Sequence, residues 1–309
     1  MTDLTLARPA QDSAPRRRFG ARISPGIGYA FALPSFLLMS GTLLLPIVMV
    51  IAMSFTDYEL GATGFSFVGL ENYATLADDR GFWKALVNTL YYVALVVPTS
   101  VVLGLLLAVM VNGLKRGRKF YQVAFFLPVT STLIAMATVW KYLLHGTIGP
   151  VNHLLVAMGL PSIEFFGDPN FVMPALAIIG IWALTGFNMV LFTSGLTAIP
   201  EELYEALAVD GIDSPLERFF TVTLPMLGPT TMFVVITTSI TAFKVFDTVA
   251  VLTRGGPQGA SDVLLYINYL EGFQYMRIGL ASAITVVFLG IILILSLVQA
   301  RIIERKVHY

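Results

Sequence analysis

The chain has 309 residues, 56% hydrophobic and 12% charged, with a mean hydropathy of +0.79. That is too apolar for a soluble chain whose surface must be largely polar, and it defines an integral membrane protein. Nineteen Lys and Arg balance nineteen Asp and Glu, so no global basic surface argues for nucleic acid, and the absence of cysteine excludes disulfides, thiolate catalysis and zinc–thiolate sites.

Residues 1–26 are polar, with Arg8, Arg16, Arg17, Arg18 and Arg22, and read as a cytoplasmic tail. The apolar run 27–55 is longer than a signal-peptide core and lacks a small-residue cleavage pattern. It reads as a retained span kinked at Pro34 and Pro46. Further runs at about 88–111, 120–144, 171–196, 230–252 and 278–300 each reach the roughly 20 residues a helix needs to cross a bilayer core. The expected architecture is therefore an all-α membrane protein with six transmembrane helices, residues 27–309 forming one domain. The arginine-rich tail, the cluster Lys115, Arg116, Arg118 and Lys119, and the final Arg301, Arg305 and Lys306 place both termini in the cytoplasm. Phe82, Trp83, Trp140 and Tyr142 are expected as aromatic anchors at the outer interface, and Gly255-Gly256-Pro257 as a tight outer turn.

Charge, helix punctuation and apolar spacing agree best over 199–229. Pro200 suits a first helical turn, and Glu201 and Glu202 suit the positive end of the helix dipole. Leu203, Ala206 and Leu207 share a face until Gly211 offers a left-handed stop. A second helix follows, with Ser214 as cap, Pro215 in the first position and Glu217 placed for a capping box. Leu216, Phe219 and Phe220 repeat the apolar spacing, and Pro225 and Pro229 lead into the next span. Two readings are open here: a surface hairpin joining two spans, or a docking element whose small Ala206 and Ala208 admit a partner backbone.

Glu205-Ala206-Leu207, Asp210-Gly211 and Leu224-Pro225 together resemble the EAA loop of the permease subunits of binding-protein-dependent ABC importers, with Leu207 where the family usually has alanine. Phe67-Val68-Gly69-Leu70-Glu71-Asn72-Tyr73, Gly186-Phe187-Asn188-Met189 and Leu252-Thr253-Arg254-Gly255-Gly256-Pro257 are similar to the carbohydrate-uptake branch, and the last twelve residues to sn-glycerol 3-phosphate permeases. The resemblance implies a type I importer fold with a cytoplasmic coupling helix. It also implies a bacterial cytoplasmic-membrane location and a sugar or related polyol as cargo, with sn-glycerol 3-phosphate one candidate. The implied partners are a second permease, an ATP-binding subunit dimer and an extracytoplasmic substrate-binding protein, besides membrane lipid. Glu205, Ala206, Asp210, Gly211, Leu224 and Pro225 would couple the chain to the ATPase.

No phosphate-loop motif G-x-x-x-x-G-K-[ST] occurs, so ATP and Mg are expected to be used by a partner, and this chain to be a non-catalytic subunit that binds no cofactor. H-E-x-x-H and G-x-S-x-G are absent, and His145, His153 and His308 form no metal-ligand cluster. Polar side chains at membrane depth remain: Asn188, Ser239, Thr241, Lys244 and Asp247, which should avoid lipid. With Phe187 they form the expected substrate path, the resemblance pointing to the segment around Gly186 and to the middle of the fifth run. Ser239 and Thr241 have the simpler role of bonding back within their helix. In a continuous fifth helix Lys244 lies about 20 Å above Thr230, and Asp247 shares its face. The two then either neutralise each other or open onto a cavity. The alternative class is an ion-gradient-driven secondary transporter, which inverted repeats and broken half-helices would favour.

Overall fold

The computed structural model describes residues 25–304. The expected tail lies outside them except for Pro25 and Gly26, as do Arg305, Lys306 and His308. Two compact units divide the chain, one ending at Met49 and one starting at Val50. α1 (Pro25–Met39) runs through a π turn (Ser40–Leu44) into α2 (Leu45–Met53), and the division between the units falls within α2. Pro46 has no N–H to return to the Thr42 carbonyl. The ladder slips just before it, the Leu45 N–H bonding Ser40 O.

The second unit continues with α3 (Glu71–Asp78), α4 (Arg80–Asn112), α5 (Arg118–Thr130), α6 (Leu133–Leu143) and α7 (Pro150–Ala157). Then come α8 (Val172–Thr197), α9 (Glu201–Val209), α10 (Pro215–Arg218) and α11 (Leu224–Met226). The last three are α12 (Gly228–Phe243), α13 (Leu264–Tyr269) and α14 (Ile278–Glu304). Among the described residues there is no strand, only an isolated bridge between Thr56 and Phe67.

Among the described residues four helices are long and apolar enough to cross a membrane: Phe31–Met53, Arg80–Asn112, Val172–Thr197 and Ile278–Ile302. The number is six if each of two bent pairs, α5 with α6 and the segment Pro215–Met226 with α12, counts as one span. Two expected runs are interrupted, the third within its bent pair and the fifth beyond the end of α12. In the third, Ser131 and Thr132 are extended. The Thr130 and Ser131 hydroxyls both bond the Leu127 carbonyl, at 2.8 and 3.3 Å, offering the backbone an alternative to the helix ladder. In the fifth, helix stops at Phe243 instead of running through to 252.

Lipid provides no hydrophobic drive between spans, so close packing and interhelical hydrogen bonds must hold them. The core forms where α8 lies along α4, flanked by α5 and α12, with Phe192, Leu176, Ile179 and Met189 of α8 fully buried against Val96 of α4 and Val234 of α12. Gly186 lets α5 approach closely: a Cβ there would overlap the Phe125 carbonyl. A second cluster joins Leu76, Phe82, Phe243, Leu264 and Ile284. Phe82 is therefore a core residue and not the expected interface anchor. Trp83 beside it is exposed and gives its indole N–H to Ala77 O at 2.8 Å.

Candidate functional site

The polar stretch folds as a helix, a bend and a second helix. Pro200 sits just before α9 as its N-cap residue, and Leu207, where the alanine of the resemblance would stand, is the helix's buried residue. Gly211 takes φ +79. Its N–H bonds Ala208 O at 3.2 Å and that of Ile212 bonds Leu207 O at 2.9 Å, the paired closure of a Schellman motif. Ser214 starts α10 without a side-chain capping bond, so the expected capping box is not formed. Arg218 secures the bend instead, donating Nε to Ile212 O and Nη2 to Asp213 Oδ1, each at 2.9 Å. Tyr204 OH lies 3.0 Å from Thr223 Oγ1 and ties α9 to the π turn Phe219–Thr223. That turn ends just before Pro225, as the other does before Pro46. Glu205, Ala206, Asp210, Gly211, Leu224 and Pro225 are all exposed, together with the apolar Val209, Leu216 and Phe220. The segment Pro215–Met226 meets α12 at an elbow of 68°.

At the far end of α12 the backbone leaves the helix over residues 244–246 and re-enters it through Asp247 and Thr248 into the π turn Val249–Thr253. Lys244 and Val245 N–H groups bond Thr241 O and Ala242 O, each at 3.2 Å. Irregular backbone at membrane depth is tolerated where it is buried in protein or lines a watery space, and two cavities open here. The inner one, about 260 Å³, is lined by Tyr92, Gly180, Thr241, Lys244 and Asp247 among others. The outer one, about 670 Å³, is lined by Asp247, Arg254, Tyr266, Tyr269, Gln274 and Tyr275 with their apolar neighbours. Phe246 and Asp247 border both.

Lys244 and Asp247 thus do not share one helical face, because the helix ends between them. Neither is in an ion pair among the described residues, where the two pairs are Arg218 with Asp213 and Arg277 with Glu271. Thr241 bonds back to Thr237 O at 2.9 Å. Ser239 is buried and accepts from Gln299 of α14 at 2.9 Å. Phe187 is half-buried and outside both cavity linings. Asn188 is fully buried where α4, α8 and α12 cross: it donates to Ser100 Oγ at 3.3 Å and accepts from Thr238 Oγ1 at 2.8 Å. It borders neither cavity.

Tyr266, Tyr269, Gln274 and Tyr275 were not singled out from the sequence, and Arg254 stood there only within the motif Leu252–Pro257 and not as a site residue. The spacing Tyr266, Tyr269, Phe273 was the available signal, an aromatic stripe at helical intervals. The loop before them is pinned to the start of α4, with Lys84 Nζ donating to Gln258 O at 2.6 Å and Asn88 Nδ2 to Asp262 O at 2.9 Å. Burial pushes the Asp262 carboxyl above its ordinary range, and Lys84 opposes the shift. Burial likewise raises Glu271, against the pull of Arg277 at 2.6 Å. Among the described residues no cluster of His, Asp or Glu could hold a metal.

The family model described as "Binding-protein-dependent transport system inner membrane component" matches residues 73–309, and the chain belongs to this family. It is a membrane-spanning permease subunit of an ABC importer, not a secondary transporter, even though its fifth run is broken. The sn-glycerol-3-phosphate transport system permease protein UgpA of Yersinia pestis bv. Antiqua (strain Antiqua) is 32% identical over 246 residues, covering 79% of this chain and 82% of that one. The protein of the same name from Salmonella typhi is 31% identical over 286 residues, covering 89% and 95%. A chain from the structure of a bacterial alginate ABC transporter, in complex with an alginate-pentasaccharide-bound periplasmic protein, superposes with a TM-score of 0.79 at 24% identity. It covers 91% of this chain and 94% of that one, a likeness of fold.

Proposed function

We propose that this subunit imports a sugar or related polyol, sn-glycerol 3-phosphate being a candidate because relatives carry it in their names. In this reading the two bent pairs count as spans, giving six, with both termini in the cytoplasm. A second permease completes the pathway, and an extracytoplasmic binding protein delivers the solute, by analogy with the alginate transporter, whose structure holds a periplasmic protein loaded with an alginate pentasaccharide. ATP and Mg belong to a separate ATPase dimer, so this chain is non-catalytic.

The observation that carries the reading is the exposed helix, left-handed glycine bend and second helix, with Val209, Leu216 and Phe220 uncovered beside Glu205 and Asp210. α9 serves as the coupling helix. Closure of the ATPase on ATP pulls it, and the spans rock between inward-open and outward-open arrangements, two states biased by a ligand with differential affinity. Gly211→Val tests this. No heavy atom would lie within 4 Å of the added Cβ. The cost comes from the left-handed backbone, about 1–2 kcal/mol, and falls on the angle of the docking helix. The reconstituted complex is expected to assemble and lose uptake. Wild-type uptake with wild-type substrate-stimulated ATPase activity would refute the coupling role.

A further inference from the structure

The outer cavity combines two kinds of surface that a lipid-facing groove would not. One is an aromatic wall. Phe246 meets Tyr269 edge-on with centroids 5.5 Å apart and Tyr266 stacks on Tyr269 at 6.4 Å, while Phe273, outside the lining, stacks on Tyr269 at 5.8 Å. Tyr275 stands more exposed at the rim, and Gln274 Nε2 donates to Tyr269 OH at 2.9 Å, fixing that ring. The other surface is charged. Arg254 closes the π turn with its N–H on Val249 O and sits at φ 51, ψ 41. A long side chain is uncommon in that region. Among the described residues no carboxylate lies within 4.0 Å of its guanidinium, although Asp247 lines the same cavity.

Resting on the importer reading above, we propose that this cavity is a solute site for a hydroxylated compound carrying one anionic group, a phosphate ester or a carboxylate. Arg254 presents a planar fork of donors that matches either anion. The tyrosine wall takes the apolar face of the solute, Tyr275 leaving one ring open at the rim. Asp247 accepts from hydroxyls and marks the passage inward, since it also borders the inner cavity that holds Lys244. About 670 Å³ lies within the usual range of small-molecule sites.

The test uses the assembled importer in ATP-loaded proteoliposomes with four labelled probes: sn-glycerol 3-phosphate, galacturonate, glycerol and galactose. The wild type is expected to import one of the two anionic probes, and which one distinguishes phosphate from carboxylate. Arg254→Asn suits the left-handed backbone and removes the charge. Its uptake of that probe should fall about tenfold to a hundredfold, the weight of one charge-assisted hydrogen bond. Arg254→Lys should fall between Arg254→Asn and the wild type, since the ammonium keeps the charge and loses the fork, a graded rescue that a purely structural arginine would not show. Tyr275→Ala should lower uptake and Tyr275→Phe restore it. Co-purification of the ATPase reports folding, and Arg254→Gln replaces Arg254→Asn if the latter fails to assemble. Wild-type uptake confined to the neutral probes, or an assembled uncharged Arg254 variant with undiminished anion uptake, overturns the proposal. Uptake that persists without the ATPase partner would instead strike the importer reading itself.

Discussion

Asn188→Ala should weaken the helix bundle itself, because the amide is spent on neighbouring helices. It removes the donor to Ser100 on α4 and the acceptor for Thr238 on α12, both partners fully or nearly fully buried. Interhelical hydrogen bonds in membranes average about 0.6 kcal/mol and reach about 1.7. Two such bonds, with the chance of a stranded hydroxyl, give about 1–3 kcal/mol, or about five- to 150-fold in the unfolding constant. The site cannot collapse freely, since Gly104 of α4 already abuts Asn188: a Cβ on that glycine would lie 2.6 Å from the Asn188 Cβ. Unfolding by SDS in mixed micelles, followed by tryptophan fluorescence, measures the loss. A double-mutant cycle with Thr238→Val isolates the pair and should return a coupling of about 0.6–1.7 kcal/mol. A coupling near zero, with stability unchanged and uptake lost, would refute the clamp and return Asn188 to the substrate path.

Gly186→Ala should fail to assemble with wild-type yield, because the new methyl group meets the Phe125 backbone carbonyl, which cannot step aside as a side chain could. Normal yield and thermal stability in detergent would show that α5 can move away from α8. Lys244→Met is expected to insert and assemble like the wild type, since Lys244 is exposed and has no carboxylate partner among the described residues. A folding defect repaired by adding Asp247→Leu would restore the ion-pair reading. Asp262 has a folded carboxyl raised above its ordinary value, first by burial, with Lys84 pulling the other way. The fold therefore holds that proton more tightly than the unfolded chain, and its contribution to stability falls as pH rises through the ordinary carboxylate range towards the raised value. Thermal melts should show Asp262→Asn gaining on the wild type between pH 4 and pH 7, whereas a gap that shrinks over that interval would mean that attraction to Lys84 outweighs desolvation.

Local chemistry was legible wherever it alone decides the structure. The helix over Glu201–Val209 and the left-handed Gly211 follow from Pro200, the leading glutamates and the glycine, and they fold as read. Long apolar runs likewise announced α4, α8 and α14. The break at 244–246 could not be read this way, because Thr241-Ala242-Phe243-Lys244-Val245-Phe246 contains neither glycine nor proline. Tertiary setting ends that helix, and hydropathy alone ran it on to 252. The same blindness split the substrate-path residues: periodicity places Asn188 at membrane depth without saying whether it faces a space or another helix. Ser100 and Thr238, lying 88 and 50 residues away along the chain, answer that. The outer cavity was missed for a related reason, since its wall comes from tyrosines beyond a loop and its charge from one arginine within that loop.

The elbow at Leu227 also has a mechanical consequence. Leu227 is wholly buried and its N–H is held by Thr223 O at 3.0 Å, while the residues on its N-terminal side, Leu224, Pro225 and Met226, are exposed. A fixed point between a free arm and a packed one makes a lever. Counted at the usual helical rise, the twelve-residue segment Pro215–Met226 is about 18 Å long and the sixteen residues of α12 about 24 Å. In the coupling proposed above, a rigid swing about Leu227 would carry the far end of α12 about 4 Å for every 3 Å at the Pro215 end. That far end is Phe243, next to Lys244 and the wall of the inner cavity, so under the proposed coupling a modest pull at the protein's surface would reach that wall slightly enlarged.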